Sequence, residues 1–228
     1  MKTPTAVISL RDRFRRHLRD NRSAIAIEVL LLILFVVLPA QSATILLLLA
    51  GWLSLRLRRS GWQNVGMSRP VDWRRTLLAG TGIGALYQLF SIGILVPVLY
   101  RLTNTPLDLS QFASLRGNLT DLLLWLAISW SLAAFGEEMA YRGYLFNRLV
   151  DLLGNNRLGW GIGIVVSALL FGLGHIYQGI TGVLETCVFG AVMACLYLAT
   201  KRNLWLPIIV HGVNDTVGFV LIFSGLYP

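Results

Sequence analysis

The sequence predicts an all-α fold, a polytopic integral membrane bundle of about seven transmembrane helices, with an eighth, broken span as an alternative. Hydrophobic residues make up 55% of the 228 residues and charged residues only 14%, whereas about 25% charged residues is usual in soluble domains. Several apolar stretches approach the roughly 20 residues that a helix needs to cross a bilayer. This composition excludes a disordered chain and argues against a soluble one.

Seven apolar stretches justify the seven spans. The first two are short and meet at a break over residues 39–41, so they could form a tight helical hairpin, or one of them could lie shallowly in the membrane. The fourth runs on into a polar motif. The predicted spans are residues 24–40, 43–57, 77–99, 122–135, 158–176, 180–199 and 204–226.

Basic residues set the orientation and account for the net charge of +9. All but Arg101 and Arg116 of the 20 Lys and Arg residues lie before the first span or in the loops after the second, fourth and sixth. Because such loops stay cytoplasmic, we expect the amino terminus inside and the carboxyl terminus outside. Residues 1–23 are predicted to form a basic amphipathic helix on the anionic lipids of the inner leaflet, or else a disordered tail. No nucleic-acid-binding motif stands out.

Ionisable side chains inside the predicted spans are the functional candidates, because each costs about 2.5–3.5 kcal/mol to insert. Glu28 is expected to pair at the inner interface, and Glu185 to line a polar cavity or reach the outer surface. The others fall into three short motifs in the second half of the chain, and they are Glu137, Glu138, Arg142, His175, His211 and Asp215.

The first motif continues the fourth span with the six residues EEMAYR at 137–142. Glu138 and Arg142 are four residues apart, so they share one helix face and can form an ion pair. Glu137 points about 100° away and has no local partner. A desolvated carboxylate without a partner suits a general base.

The second and third motifs each place an imidazole at i, i+4 spacing. Phe171 and His175 are predicted to share one face of the fifth span, and His211 and Asp215 one face of the seventh. Asn214 lies on the neighbouring stripe and could replace Asp215 as a hydrogen-bond donor.

The chain register predicts that the first two motifs meet. Glu137 and His175 each lie 19 residues from Asn156, so an antiparallel pair of helices would bring them level. His211 is harder to place, because it is predicted about 13 Å in from the inner surface and His175 close to the outer turn. The conflict eases if the turn at 177–182 stays within the bilayer, or if the pair formed by the fourth and fifth spans projects into the cytoplasm.

The three motifs together resemble a known family. EExxxR at 137–142, FxxxH at 171–175 and HxxxD at 211–215 follow one another on successive membrane helices. This arrangement resembles the CPBP family, the CAAX-protease and bacteriocin-processing (Abi) group that includes the type II CAAX prenyl endopeptidases. The resemblance covers residues 121–226, about half the chain.

The resemblance implies a hydrolase, an intramembrane protease acting on a peptide or lipidated protein near the cytoplasmic leaflet, in a plasma membrane if the host is bacterial. It implies that Glu137 and His175 activate water. His211 and Asp215 would stabilise the oxyanion or bind metal. The residues that would support these four are Glu138, Arg142, Asn214 and Phe171.

Asp215 departs from the family pattern, whose last position is often Asn. An ionised Asp would repel an oxyanion, so it must be protonated, give way to Asn214 or bind a cation. Zn²⁺ with one open position, as in a metalloprotease, could be held by Glu137, His175, His211 and Asp215. Without metal, Glu137 alone must generate the nucleophile, and both forms stay open. The motifs HExxH and GxSxG are absent, so zincin and serine chemistry gain no support.

Two other functions stay open. A proton-coupled transporter is one, because carboxylate and histidine chains also form proton relays, although the sequence has no paired halves with matching broken helices. A catalytically inactive scaffold in bacteriocin immunity or envelope regulation is the other. The chain divides into a basic segment (1–23), transmembrane helices without a recognised motif (24–118) and a CPBP-like catalytic core (119–228).

Overall fold

A computed structural model gives the fold over residues 17–18, 21–38 and 43–227. The described residues form helices joined by short connections, so the predicted helical bundle is confirmed. Most of the amphipathic segment predicted at 1–23, and the break at 39–41, lie outside the described residues.

Polar caps explain where several of the helices begin. The helices are α1 (Arg22–Val37), α2 (Ala43–Leu57), α3 (Trp73–Thr103), α4 (Leu119–Leu153), α5 (Arg157–Leu173), α6 (Gly179–Ala199) and α7 (Trp205–Phe223). Before α1, α3, α4 and α5 stands a residue whose side chain accepts a hydrogen bond from a free N–H of the first turn. These caps are Asn21, Asp72, Asn118 and Asn156.

The surface is apolar and the interior carries charge, as expected of a protein that lies in lipid. Large aliphatic side chains such as Leu30, Leu78 and Leu158 are exposed, whereas Glu138 and Arg142 are fully buried. This distribution supports an integral membrane protein.

Among the described residues, four helical segments are long and apolar enough to cross a membrane. They are α3, α4, the segment Ile176–Ala199 that includes α6, and α7. The remaining described helices are shorter, with 16 residues in α1, 15 in α2 and 17 in α5. The seven-span count and the orientation of the termini stay predictions.

Helices α1 and α2 form an antiparallel hairpin, which was one of the two predicted arrangements. Ser54 on α2 donates a hydrogen bond of 2.6 Å to Glu28 on α1. Arg58 and Tyr144 also bind Glu28, and Tyr144 belongs to α4. Glu28 thus pairs with a cation, as expected, and the same cluster fastens the hairpin to α4.

The middle of α4 departs from α-helical geometry. Residues Ser129–Leu145 form a π-helix, and at its end the Phe146 N–H bonds the carbonyl of Tyr141, five residues back. The first motif therefore lies on a π-helix rather than on the α-helix that was assumed, although the predicted ion pair between Glu138 and Arg142 is present. A second π segment, Ser91–Leu95, lies in α3. Such segments occur frequently at functional sites.

Close packing between helices gathers α3 to α7 around one interior. A side chain at Gly84 of α3 would come within 2.5 Å of the Val210 carbonyl of α7. A side chain at Gly172 of α5 would clash with Cys187 Sγ on α6. Small residues therefore permit the backbone approach that these pairs show.

Candidate active site

A cavity of about 200 Å³ lies among helices α3 to α7. Two predicted site residues, Glu138 and Arg142, do not line it and are buried in the protein. The structure brings the other six together around the cavity, and they are Glu137, Phe171, His175, His211, Asn214 and Asp215.

Glu138 joins the first motif to the third. Its Oε1 accepts a hydrogen bond of 2.8 Å from Arg142 Nη1 and lies 2.9 Å from His211 Nδ1. Arg142 also donates to the Gly190 carbonyl of α6 at 3.2 Å, and its guanidinium carbon lies 4.3 Å from the ring centroid of Phe171 on α5. Buried charges need such partners. The ion pair between Glu138 and Arg142 on α4 thus contacts α5, α6 and α7.

The bond to Glu138 fixes how His211 faces the cavity. Because an ionised carboxylate only accepts hydrogen bonds, His211 Nδ1 carries a proton and donates it to Glu138. Nε2 then faces the other two carboxylates, 3.7 Å from Asp215 Oδ2 and 4.0 Å from Glu137 Oε2. The imidazole therefore stands between the buried ion pair and the cavity.

Glu137 has one oxygen that the protein leaves without a donor. Its Oε1 lies 3.5 Å from the hydroxyl of Thr44 on α2, which donates to it. Its Oε2 is buried and has no hydrogen-bond partner among the described residues. Glu138 Oε2 and Asn214 Oδ1 are also buried without a partner in the described part of the chain, but Glu138 does not line the cavity and an amide oxygen is a much weaker base than a carboxylate. Since buried acceptors are almost always satisfied, Glu137 Oε2 is the place where an attacking water would bind.

Asp215 is held by neighbouring side chains. The Ser129 hydroxyl donates to Oδ2 at 2.6 Å, and Asn214 Nδ2 donates to Oδ1 at 3.3 Å. Asn214 was considered as a replacement for Asp215, and in the structure the two side chains form one hydrogen-bonded unit.

His175 lies outside the helix that it was predicted to share with Phe171. Helix α5 ends at Leu173, and a short turn, Ile176–Gln178, leads into α6, so the predicted shared helix face is wrong. The contact persists, with Nδ1 2.8 Å from the Phe171 carbonyl oxygen and the two ring centroids 4.8 Å apart. A carbonyl accepts, so Nδ1 carries a proton. Both His175 and His211 line the cavity, so the expected conflict in depth does not arise.

Ser129 and Thr44 contact the candidate site and were not predicted. Each is a small polar residue near or within an apolar helix, where a hydroxyl commonly bonds its own backbone. Ser129 interrupts the apolar run before Glu137 on the same helix, and this was a weak signal. Thr44 is 93 residues from Glu137, and nothing in the sequence connects the two.

Glu185 on α6 lines the cavity, which was one of the two places predicted for it. Its Oε1 accepts hydrogen bonds from Ser91 Oγ at 2.8 Å and from the Tyr87 hydroxyl at 3.4 Å, both on α3. Tyr227, which follows α7, lines the same cavity. Burial, reinforced by the charge of Glu185, raises the pKa of Tyr227 to about 12. Tyr227 is therefore a neutral phenol at physiological pH.

In this arrangement the donors considered for Zn²⁺ lie farther apart than tetrahedral coordination requires, and metal binding stays a prediction. Within the described part of the chain, no group of three or more His, Cys, Asp or Glu side chains is placed to hold a metal ion. Tetrahedral zinc with bonds of about 2.0 Å requires donor atoms about 3.3 Å apart. His211 Nε2 lies 3.7 Å and 4.0 Å from the nearest oxygens of Asp215 and Glu137.

Together the fold and the cavity define a class of protein, a helical membrane protein with buried carboxylates and imidazoles gathered around one small cavity. Residues 119–217 match the family model described as type II CAAX prenyl endopeptidase Rce1-like. Residues 119–217 are therefore similar to the domain of this family, and the resemblance drawn from the three motifs is confirmed. No curated protein and no solved structure matches the chain. Helices α1 to α3 lie outside the matched residues.

Proposed function

We propose that this protein is an intramembrane endopeptidase that hydrolyses a peptide bond in a membrane-associated or lipidated protein or peptide near the cytoplasmic leaflet. The family supports CAAX-type protease activity in general. The observation that carries the finer proposal is the buried Oε2 of Glu137, which has no partner among the described residues and lies 4.0 Å from His211 Nε2.

In the first step, Glu137 takes a proton from a water molecule that is held with the help of His175. The oxygen of that water forms a bond to the carbonyl carbon of the substrate, and the carbonyl oxygen becomes negatively charged. The role of Glu137 is supported by its position, because a general base must carry a free lone pair within reach of the water. Thr44 directs the carboxylate by binding its other oxygen.

His211 stabilises the oxyanion in this proposal. Its Nδ1 is committed to Glu138, so a proton on Nε2 can be donated to the developing negative charge. Donors fixed in place before the reaction stabilise such charge most effectively. Asp215, held by Ser129, lies beside Nε2 and favours its protonated form, so its own carboxylate need not face the oxyanion.

In the last step the tetrahedral intermediate collapses. The carbon–nitrogen bond breaks, the carbonyl reforms, and Glu137 gives the proton it took from water to the leaving nitrogen. The products are a new carboxyl group and a new amine, and Glu137 returns to its starting state. The same side chain thus acts as general base and then as general acid.

Reconstituted protein provides the test. The full chain in liposomes is incubated with a panel of synthetic peptides, some membrane-spanning and some prenylated at the carboxyl end, and the products are identified by mass spectrometry. Glu137→Gln is expected to lower cleavage about 10²–10⁴-fold, the range usual for a general base, and His175→Ala to lower it as well. The control is Glu28→Gln, which neutralises a partly buried glutamate that does not line the cavity.

Three results would contradict the proposal. Cleavage by Glu137→Gln at the parental rate would show that the site is assigned wrongly. Absence of cleavage by the parent across the panel would favour the inactive scaffold. Proton flux through parental liposomes that disappears in Glu137→Gln would favour the transporter.

A further inference from the structure

Glu185 is a partly buried carboxylate in the cavity that the proposed chemistry does not use. It lies outside all three motifs, although it lines the same cavity as Glu137 and His211. Its surroundings come partly from α3, outside the residues that match the family model.

The two oxygens of Glu185 have different surroundings. Ser91 and Tyr87 both donate to Oε1, whereas no described residue donates to Oε2. Two donors on one oxygen fix the orientation of the carboxylate and leave the other oxygen for a ligand. The π segment of α3 begins at Ser91 and brings this hydroxyl to Glu185.

The charge of Glu185 is not balanced by the protein. No Lys, Arg or His nitrogen of the described residues lies within 4 Å of its carboxylate. The described residues that line the cavity include the three carboxylates of Glu137, Asp215 and Glu185, two imidazoles, and no Lys or Arg, so the carboxylates outnumber the cations even when both histidines are protonated. A buried carboxylate is costly unless a cation or several donors accompany it. The cavity therefore suits a ligand that brings a positive charge.

An aromatic wall connects Glu185 to the proposed chemistry. Phe189 lies one helical turn further along α6, about 6 Å by helix geometry, and lines the cavity. Its ring centroid is 5.0 Å from that of Tyr87 and 5.0 Å from that of His211. Aromatic faces beside a carboxylate add to the attraction for a cation. A side chain that reaches Glu185 thus belongs to a residue near the bond being cleaved.

We infer that Glu185, oriented by Ser91 and Tyr87, binds a lysine or arginine side chain of the substrate within about two residues of the scissile bond. This inference rests on the proposed function and narrows its substrate class to peptides with a basic residue next to the cleavage site. An acidic side chain at that position is rejected by the three carboxylates.

Matched peptides test the inference. One peptide that the parent cleaves is made with lysine, norleucine or glutamate at each position beside the scissile bond. The parent is expected to cleave the best lysine peptide about 10–100-fold faster than the norleucine peptide, the range expected for a buried ion pair. Glu185→Gln keeps an acceptor for both hydroxyls, and it is expected to lower cleavage of the lysine peptide until that peptide is no longer preferred over the norleucine peptide.

A control and a binding measurement separate this inference from the proposed function. Asp121→Asn removes a negative charge from a residue that does not line the cavity, and it is expected to preserve the lysine preference. Binding of the three peptides is measured with Glu137→Gln and with Glu137→Gln/Glu185→Gln. A lysine preference that persists in Glu185→Gln overturns the inference alone. A different outcome is that the parent cleaves none of the peptides, while the Glu137→Gln variant still binds the lysine peptide most tightly and the Glu137→Gln/Glu185→Gln variant does not. In that case the proposed protease function is wrong and the cation-binding site at Glu185 stands.

Discussion

Two partly buried acidic centres lie beside α4, and they differ in how completely the oxygens of their glutamates are satisfied. In the first centre, both oxygens of Glu28 accept hydrogen bonds, from Ser54, Arg58 and Tyr144. In the second, the Oε2 of Glu137 has no partner among the described residues. Both are glutamates that the sequence places inside predicted spans. Burial of charge alone therefore does not identify a reactive group.

The neighbouring cavities sharpen this contrast. The cavity beside Glu28 is larger, about 520 Å³, and is lined mainly by aliphatic side chains of α1 and α2. The cavity beside Glu137 is about 200 Å³ and contains two imidazoles and two further carboxylates. Judged by volume alone, the cavity beside Glu28 would be chosen as the active site. Judged by the side chains that line it, the cavity beside Glu137 is the better candidate. An unsatisfied acceptor next to groups that can hold or move a proton is the more informative signal.

The largest expected difference concerns the two arginines. Arg142→Met removes the arginine from the fully buried carboxylate of Glu138, which keeps only His211 as a donor among the described residues, and is expected to lower the free energy of unfolding by about 3–5 kcal/mol. Arg58→Met should cost less, because Glu28 keeps Ser54 and Tyr144 as donors and its side chain is 18% exposed. Chemical denaturation in detergent measures both. Equal losses would remove the distinction between the two centres.

Two serines make a matched pair. Ser54 donates to Glu28 and Ser129 to Asp215, each at 2.6 Å. We expect Ser54→Ala to lower the free energy of unfolding by about 1.5–3 kcal/mol, as for a hydrogen bond to a charged group, with cleavage unchanged. Ser129→Ala should lower kcat/KM about tenfold, equivalent to about 1.4 kcal/mol in the barrier. A loss of activity in Ser54→Ala and not in Ser129→Ala would reverse the proposed roles.

A smaller effect is expected at Thr44. This residue lies on α2, in the hairpin that contains Glu28, and its hydroxyl contacts Glu137. The hydroxyl lies 3.5 Å from Glu137 Oε1, at the outer limit of a hydrogen bond. Thr44→Val preserves shape and should lower kcat/KM a few-fold, roughly 0.5–1.5 kcal/mol. Thr44→Ser retains the hydroxyl and should keep parental activity. If both variants behave alike, the hairpin does not position Glu137 through this contact.

The smallest effect is expected from metal removal. In the side-chain form of the mechanism, protein stripped by a chelator and checked by elemental analysis keeps the parental rate, because Glu137 alone generates the nucleophile. Loss of activity on stripping, restored by added Zn²⁺, would show that the metal form of the site is correct. The second centre would then need a different geometry from the one that brings His211 within 3.7 Å of Asp215.

The candidate site was predictable where its members are close in sequence or carry a cost in lipid. The pair Glu138 and Arg142 follows from their spacing, and the ion pair is present. His211 and Asp215 also share a face of α7. The position of His175 was predicted less well, because nothing in its sequence shows that α5 ends at Leu173 rather than a few residues later.

Contacts between distant segments were not predictable. The bond from Glu138 to His211 joins residues 73 apart, and the contact of Thr44 with Glu137 joins residues 93 apart. No local rule links such pairs. The π-helical stretch Ser129–Leu145 was also missed, because the residues that form it would suit an α-helix equally well, and packing against neighbouring helices decides between the two.

The sequence by itself determined the helical membrane class and the identity of the polar residues, because apolar length and the cost of charge in lipid act on each segment separately. Only the tertiary structure decided which glutamate is satisfied and which is left with a free oxygen. That distinction depends on donors from other helices, such as Arg58 for Glu28 and Thr44 for Glu137. Such donors reach their acceptors only when the helices pack together.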